Sequence, residues 1–118
     1  MPSLPPTLSH QDQLIINQFS SFAASSPAIS QLILFGSKAT GQDNPESDID
    51  LLAIVDQPQV EASIYAKVAQ LLSQHNTYIS IKVLPFSEFN RLQQLNTPFI
   101  QNLSRQGIIL WQKPSSPS

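Results

Sequence analysis

The sequence has no cysteine, so it holds neither a disulfide framework nor a thiolate metal site. Charge is scarce too: Asp, Glu, Lys and Arg make up 12% of the 118 residues, and Gln and Ser carry much of the surface. A net charge of −2 at pH 7 supplies no basic face, which argues against direct binding to long nucleic acid. No apolar run is long enough to span a membrane, and Met1-Pro2-Ser3-Leu4-Pro5-Pro6 lacks the charged and apolar regions of a secretory leader. A cytoplasmic protein is expected. There is no internal repeat. A hydrophobic content of 41% over 118 residues suits one domain with a single core.

What is present centres on Gln31 to Val55, QLILFGSKATGQDNPESDIDLLAIV. Two short apolar runs, Leu32 to Phe35 and Leu51 to Val55, have the length of buried strands and are too short for helices. Between them lie Gly36-Ser37, ten polar and turn-forming residues, and Asp48-Ile49-Asp50. Alternate residues of a strand share a face, so Asp48 and Asp50 point the same way, less than about 7 Å apart. Carboxylates that close repel unless a cation lies between them. The pair suits hard divalent ions with oxygen ligands, Mg²⁺ being favoured where phosphates complete the shell. Gly36 lets a phosphate approach the backbone, Ser37 adds an amide and a hydroxyl, and Lys38 adds a cation. Gly41 and Asn44-Pro45 are turn residues that return the chain beside itself.

The flanks read as alternating helices and strands. Residues 1–8 hold three prolines and are expected to form a loose arm, residues 9–112 the domain, and residues 113–118 a tail. Ser9 caps a first helix with Asp12 in its first turn, and Leu14, Ile15, Phe19 and Phe22 fall on one face until Pro27 ends it. Pro58 opens a second, with Val60, Ile64, Val68, Leu71 and Leu72 at helical spacing and His75 at its end. Tyr78 to Leu84 alternates as a strand, with Ser80 and Lys82 on its polar face. Ser87 is read as the cap of a helix to Leu95, and Thr97-Pro98 as the start of another that Gly107 stops. Ile108 to Trp111 is the last strand, with Trp111 as a packing residue. His10 and His75 read as surface and helix-end residues, and Asp43 and Glu46 as solvated loop charges. The expected class is α/β, a mixed sheet packed with helices.

Gly36, Ser37, ten intervening residues, then Asp48 and Asp50 between two apolar strands resemble the signature of the DNA polymerase β-type nucleotidyltransferase superfamily. The short chain is similar to minimal nucleotidyltransferases, which are commonly paired as antitoxins with HEPN-type ribonuclease toxins. The resemblance implies that Asp48 and Asp50 are the catalytic residues and ligate Mg²⁺ carried by ATP. It implies that Ser37 and the Gly36-Ser37 amides hold the phosphates, beside the Lys38 cation, while an acceptor hydroxyl attacks the α-phosphorus. Lys82, placed on the polar face by strand alternation, is expected to attract the triphosphate. Active members of the superfamily carry a third carboxylate on a neighbouring strand. The corresponding segment, Tyr78 to Leu84, has no Asp or Glu, and the nearest acid, Glu88, reads as a helix-start charge.

Three functions are therefore expected to compete. One is an antitoxin that attaches AMP to a toxin side chain. Another is a nucleotidyltransferase-like antitoxin, weakly active or inactive, that blocks its toxin sterically. The third is a transferase acting on a small molecule, for which 118 residues leave little acceptor pocket.

Overall fold

The computed structural model describes residues 4–6, 8–41, 48–75 and 77–114. Helix α1 (His10–Ala24) starts where Ser9 Oγ accepts the Asp12 amide at 3.0 Å, a cap contributing about 1 kcal/mol. Strands β1 (Ile29–Phe35) and β2 (Ile49–Val55) are the two apolar runs, joined through a four-residue helix α2 (Ser37–Thr40). A 3₁₀ turn at Pro58–Val60 leads into α3 (Glu61–Gln74), then β3 (Ile79–Pro85), α4 (Phe86–Leu95), α5 (Pro98–Gln106) and β4 (Ile108–Gln112). The strand order is β3-β2-β1-β4. β1 is antiparallel to β2 and β4, and β2 is parallel to β3. The parallel pair needs a crossover connection, which α3 provides. This is the expected mixed α/β architecture.

The two faces of the sheet have separate cores. Leu32, Leu34, Ile49, Leu51, Ala53 and Val55 pack with Ile15, Ile16 and Phe19 of α1 and Ile64, Val68 and Leu71 of α3. On the opposite face Ile33, Leu52 and Ile54 meet Phe89 of α4 and Ile100 and Leu103 of α5. β2 is thus covered on both sides, which is why it reads as a continuous apolar run rather than an alternating one. Thr97 Oγ1 accepts the Ile100 amide at 3.3 Å and Pro98 occupies the first turn, fixing where α5 enters this second core.

Three expectations change at the edges. Leu14 is 41% exposed and Leu72 39% exposed, because the buried stripes run through Ile15, Ile16, Phe19 and Ala23 and through Ile64, Val68 and Leu71. α4 starts at Phe86 with Pro85 in the cap position, and Ser87 caps nothing; the extended backbone of Pro85 (φ −61°, ψ 148°) already sets the entry. Leu8 is buried and Leu4 packs against the α1 face, so the described part of the N-terminal segment lies on the core. The expected turn at Asn44-Pro45 and the charges of Asp43 and Glu46 lie outside the described residues. Among the described residues no helix is long and apolar enough to cross a membrane.

Candidate active site at the head of β2

Register decides what can meet. In the β1–β2 pair Phe35 stands opposite Asp50, and in the β2–β3 pair Asp50 stands beside Ser80. Paired residues of adjacent strands share a face, so Phe35, Asp50 and Ser80 form one rung on the α4/α5 side. Gly36 follows Phe35 with φ +76°, a conformation that L side chains avoid. A β-carbon at Gly36 would overlap Asp50 Oδ2 and lie 3.1 Å from Cγ. The absence of a side chain is what lets the backbone turn over the carboxylate. Ser37 then opens α2, whose single turn closes through Ala39 N–H to Gly36 O at 3.1 Å and Thr40 Oγ1 to Ser37 O at 3.0 Å.

Asp48 lies one residue before β2 and is exposed, whereas Asp50 is partly covered. Burial, reinforced by the charge of Asp48, holds the Asp50 carboxyl above its ordinary pKa. The two anions therefore sense each other, the electrostatic condition for a shared cation. Among the described residues there is no cluster of three or more His, Cys, Asp or Glu side chains able to hold a metal. The rung beside Asp50 carries the Ser80 hydroxyl instead of a third acid.

Lys38 stands elsewhere than expected. It is 1% exposed, and its ammonium donates to Asp12 Oδ2 at 2.8 Å. A buried ammonium bonded to a carboxylate is not presented to a ligand, so Lys38 ties α2 to α1 instead of lining the phosphate cradle. Lys82 is exposed, next to Leu52 in the register and so on the Asp50 face, one rung further along. Its Nζ lies 5.0 Å from the centre of the Phe99 ring, within cation–π range. Phe99 in turn meets Phe35 edge-on at 5.8 Å.

Residues of α5 were not anticipated at this site. A recess of about 270 Å³ beside Gly36 is lined by Phe35, Phe99, Asn102, Leu103 and Gln106. The helical spacing of Phe99, Asn102, Leu103 and Gln106 was readable, but not the sheet end that α5 would cover. A larger cleft of about 330 Å³ opens near Ser30, Asp56, Phe86 and Lys113 and includes neither Asp48 nor Asp50. Neither cavity includes Asp48 or Asp50; of the two, only the smaller reaches Gly36, the residue packed against Asp50.

The family description "Polymerase beta, Nucleotidyltransferase" matches residues 17–116. No curated protein matches the chain significantly. Among solved structures, similarity extends to a toxin–antitoxin with AMP-PNP, at 19% identity and a TM-score of 0.52, covering 89% of this chain and 75% of the other. The toxin–antitoxin MntA-HepT is similar at 20% identity and a TM-score of 0.50, covering 86% and 73%. A tri-AMPylated Shewanella oneidensis HEPN toxin in complex with MNT antitoxin is similar at 20% identity and a TM-score of 0.50, covering 86% and 72%. These likenesses are of fold, whereas the family match spans the strand–turn–strand unit that carries Gly36, Asp48 and Asp50. The chain belongs to the polymerase β-type nucleotidyltransferase family.

Proposed function

We propose that this chain is a minimal nucleotidyltransferase antitoxin that transfers AMP from Mg²⁺-ATP to a side chain of a cognate HEPN-type ribonuclease toxin and so neutralises it. The observation that carries the reading is the close approach of Gly36 to the Asp50 carboxylate, which sets the start of α2 against the head of β2. Asp48 and Asp50 fit a divalent cation: they are two mutually repelling oxygen donors, one open to solvent and one partly covered. Asp48 and Asp50 would hold Mg²⁺, which supplies charge neutralisation and orientation of the triphosphate.

In this reading the Gly36 and Ser37 amides and the Ser37 hydroxyl bind the terminal phosphates. Lys82, on the Asp50 face, draws the anionic nucleotide in. An acceptor hydroxyl of the partner forms a bond to the α-phosphorus, the α–β anhydride bond breaks, pyrophosphate leaves, and the hydroxyl proton passes to solvent. Positioning suffices for such a transfer, so no side-chain nucleophile is required of this chain. The toxin-antitoxin complexes that share the fold, one with AMP-PNP and one with an AMPylated toxin, support the choice of nucleotide and partner. A small domain leaves such a cleft open, and a partner covering it would exclude water.

Ser80 favours a second reading, a steric antitoxin with weak or no turnover, because the rung beside Asp50 has no third acid. Incubation with the partner, ATP and Mg²⁺ separates the two. AMP transfer raises the partner's intact mass by whole AMP units; neutralisation without a mass change decides for steric blocking.

A further inference from the structure

We propose that the recess formed by Phe35, Phe99, Leu103, Asn102 and Gln106 receives the base of the bound nucleotide and selects adenine. The inference rests on the nucleotide-binding reading above and adds to it the residues that choose the base. Position is the first argument. Gly36 belongs both to the wall of the recess and to the turn over Asp50. A ligand with its phosphates on Gly36-Ser37 therefore has its other end within reach of α5.

Size is the second. About 270 Å³ is small for a whole nucleotide and suits a single ring system. The chemistry of the lining agrees. Phe35 and Phe99 are locked edge to face at 5.8 Å, and Leu103 is 8% exposed, which makes a rigid apolar wall. None of the lining residues is acidic or basic, and the Lys82 ammonium, 5.0 Å from the centre of the Phe99 ring, is engaged with an aromatic face, so the recess suits a neutral planar group better than a phosphate.

At the rim, Asn102 and Gln106 stand four residues apart on α5 and so project from the same side of the helix. Asn102 Oδ1 accepts from Arg105 at 3.0 Å, which leaves Asn102 to act as a donor. Gln106 offers a donor and an acceptor together, the pairing that matches adenine N7 and its 6-amino group. Guanine presents two acceptors, O6 and N7, on the same edge. Arg105 is held by Asn102 Oδ1 and is not part of the lining, so the Gln106 amide is the rim group that reads the base edge, and it favours adenine.

The test titrates the full chain with the Mg²⁺ complexes of ATP, GTP and ribose 5-triphosphate, which lacks only the base. ATP is expected to bind at least about tenfold tighter than ribose 5-triphosphate, and tighter than GTP. Gln106→Leu and Asn102→Leu, both on the exposed rim, should bring ATP and GTP together without weakening ribose 5-triphosphate. Phe99→Ala should bring ATP down to the level of ribose 5-triphosphate. Equal binding of ATP and ribose 5-triphosphate by the unmodified chain overturns the proposal and leaves the phosphate site standing, with the recess free for an acceptor side chain. An ATP preference over GTP that survives both α5 substitutions also overturns it. No binding of either ATP or ribose 5-triphosphate removes the nucleotide-binding reading itself, and the base recess with it.

Discussion

The Asp50 carboxylate fills the space that a side chain at Gly36 would need: a β-carbon there would overlap Oδ2, and the turn has φ +76°. The glycine is a structural requirement of this aspartate's position. Substituting Gly36→Ala is expected to cost about 1–3 kcal/mol through backbone strain alone. The displaced carboxylate should also lose Mg²⁺-dependent triphosphate binding. Denaturant unfolding and calorimetric titration read the two effects; unchanged stability and affinity would show that the turn does not depend on a bare α-carbon.

Removing the charge of Asp50 should act in opposite directions on stability and on binding. Its folded-state pKa is raised, first by burial and then by Asp48. The stabilisation that protonated Asp50 gives is full below the unfolded carboxylate pKa and is lost as pH rises through the folded value. At neutral pH the ionised form is thus tolerated at a cost, and Asp50→Asn should raise the melting temperature in the absence of Mg²⁺. The same variant should no longer be stabilised by Mg²⁺ and ATP. A melting temperature that falls contradicts the cost assigned to burying the ionised carboxylate, and a retained response to Mg²⁺ contradicts the metal role of the pair.

The Asp12–Lys38 pair should behave as part of the fold. Both side chains are buried, 8% and 2% exposed, and bonded at 2.8 Å. Asp12→Ala removes this charge-assisted hydrogen bond and is expected to cost about 1.5–3 kcal/mol. Asp12→Leu combined with Lys38→Met should recover most of the loss, since an apolar pair of similar volume has no charge to desolvate. Additive losses in the double variant would show that the two residues act separately.

Much of this was legible because it is local. The two apolar runs are the adjacent strands β1 and β2, with Gly36 just after one and Asp48-Ile49-Asp50 at the head of the other. Thr97-Pro98 marks the start of α5 without reference to anything distant. The Asp12–Lys38 bond, 26 residues apart, is a different matter. Each residue reads correctly by itself, as a first-turn acid and as a cation after Gly36-Ser37. Only the packing of α1 against the α2 turn turns both inward. The contribution of α5 was hidden for the same reason: helical periodicity identifies the apolar face but not which end of the sheet that face covers.

Ser80 offers a gain-of-function test. It stands beside Asp50 in the parallel register, whereas Lys82 stands beside Leu52. Ser80→Asp should place a third carboxylate next to the pair and strengthen Mg²⁺ or Mn²⁺ binding by roughly tenfold, with faster AMP transfer. Lys82→Asp, one rung away, should change metal affinity less. If Lys82→Asp has the larger effect, or neither has any, β3 does not address the metal in the way the register indicates.

If Asp48 and Asp50 serve AMP transfer to a protein partner, the mass of that partner records it. Purified HEPN-type partner is incubated with this chain, ATP and Mg²⁺, and its intact mass is recorded. An increase by whole AMP units is expected, absent without Mg²⁺ and with the Asp48→Asn, Asp50→Asn double variant. A partner that is neutralised at unchanged mass, equally well by the double variant, would contradict it.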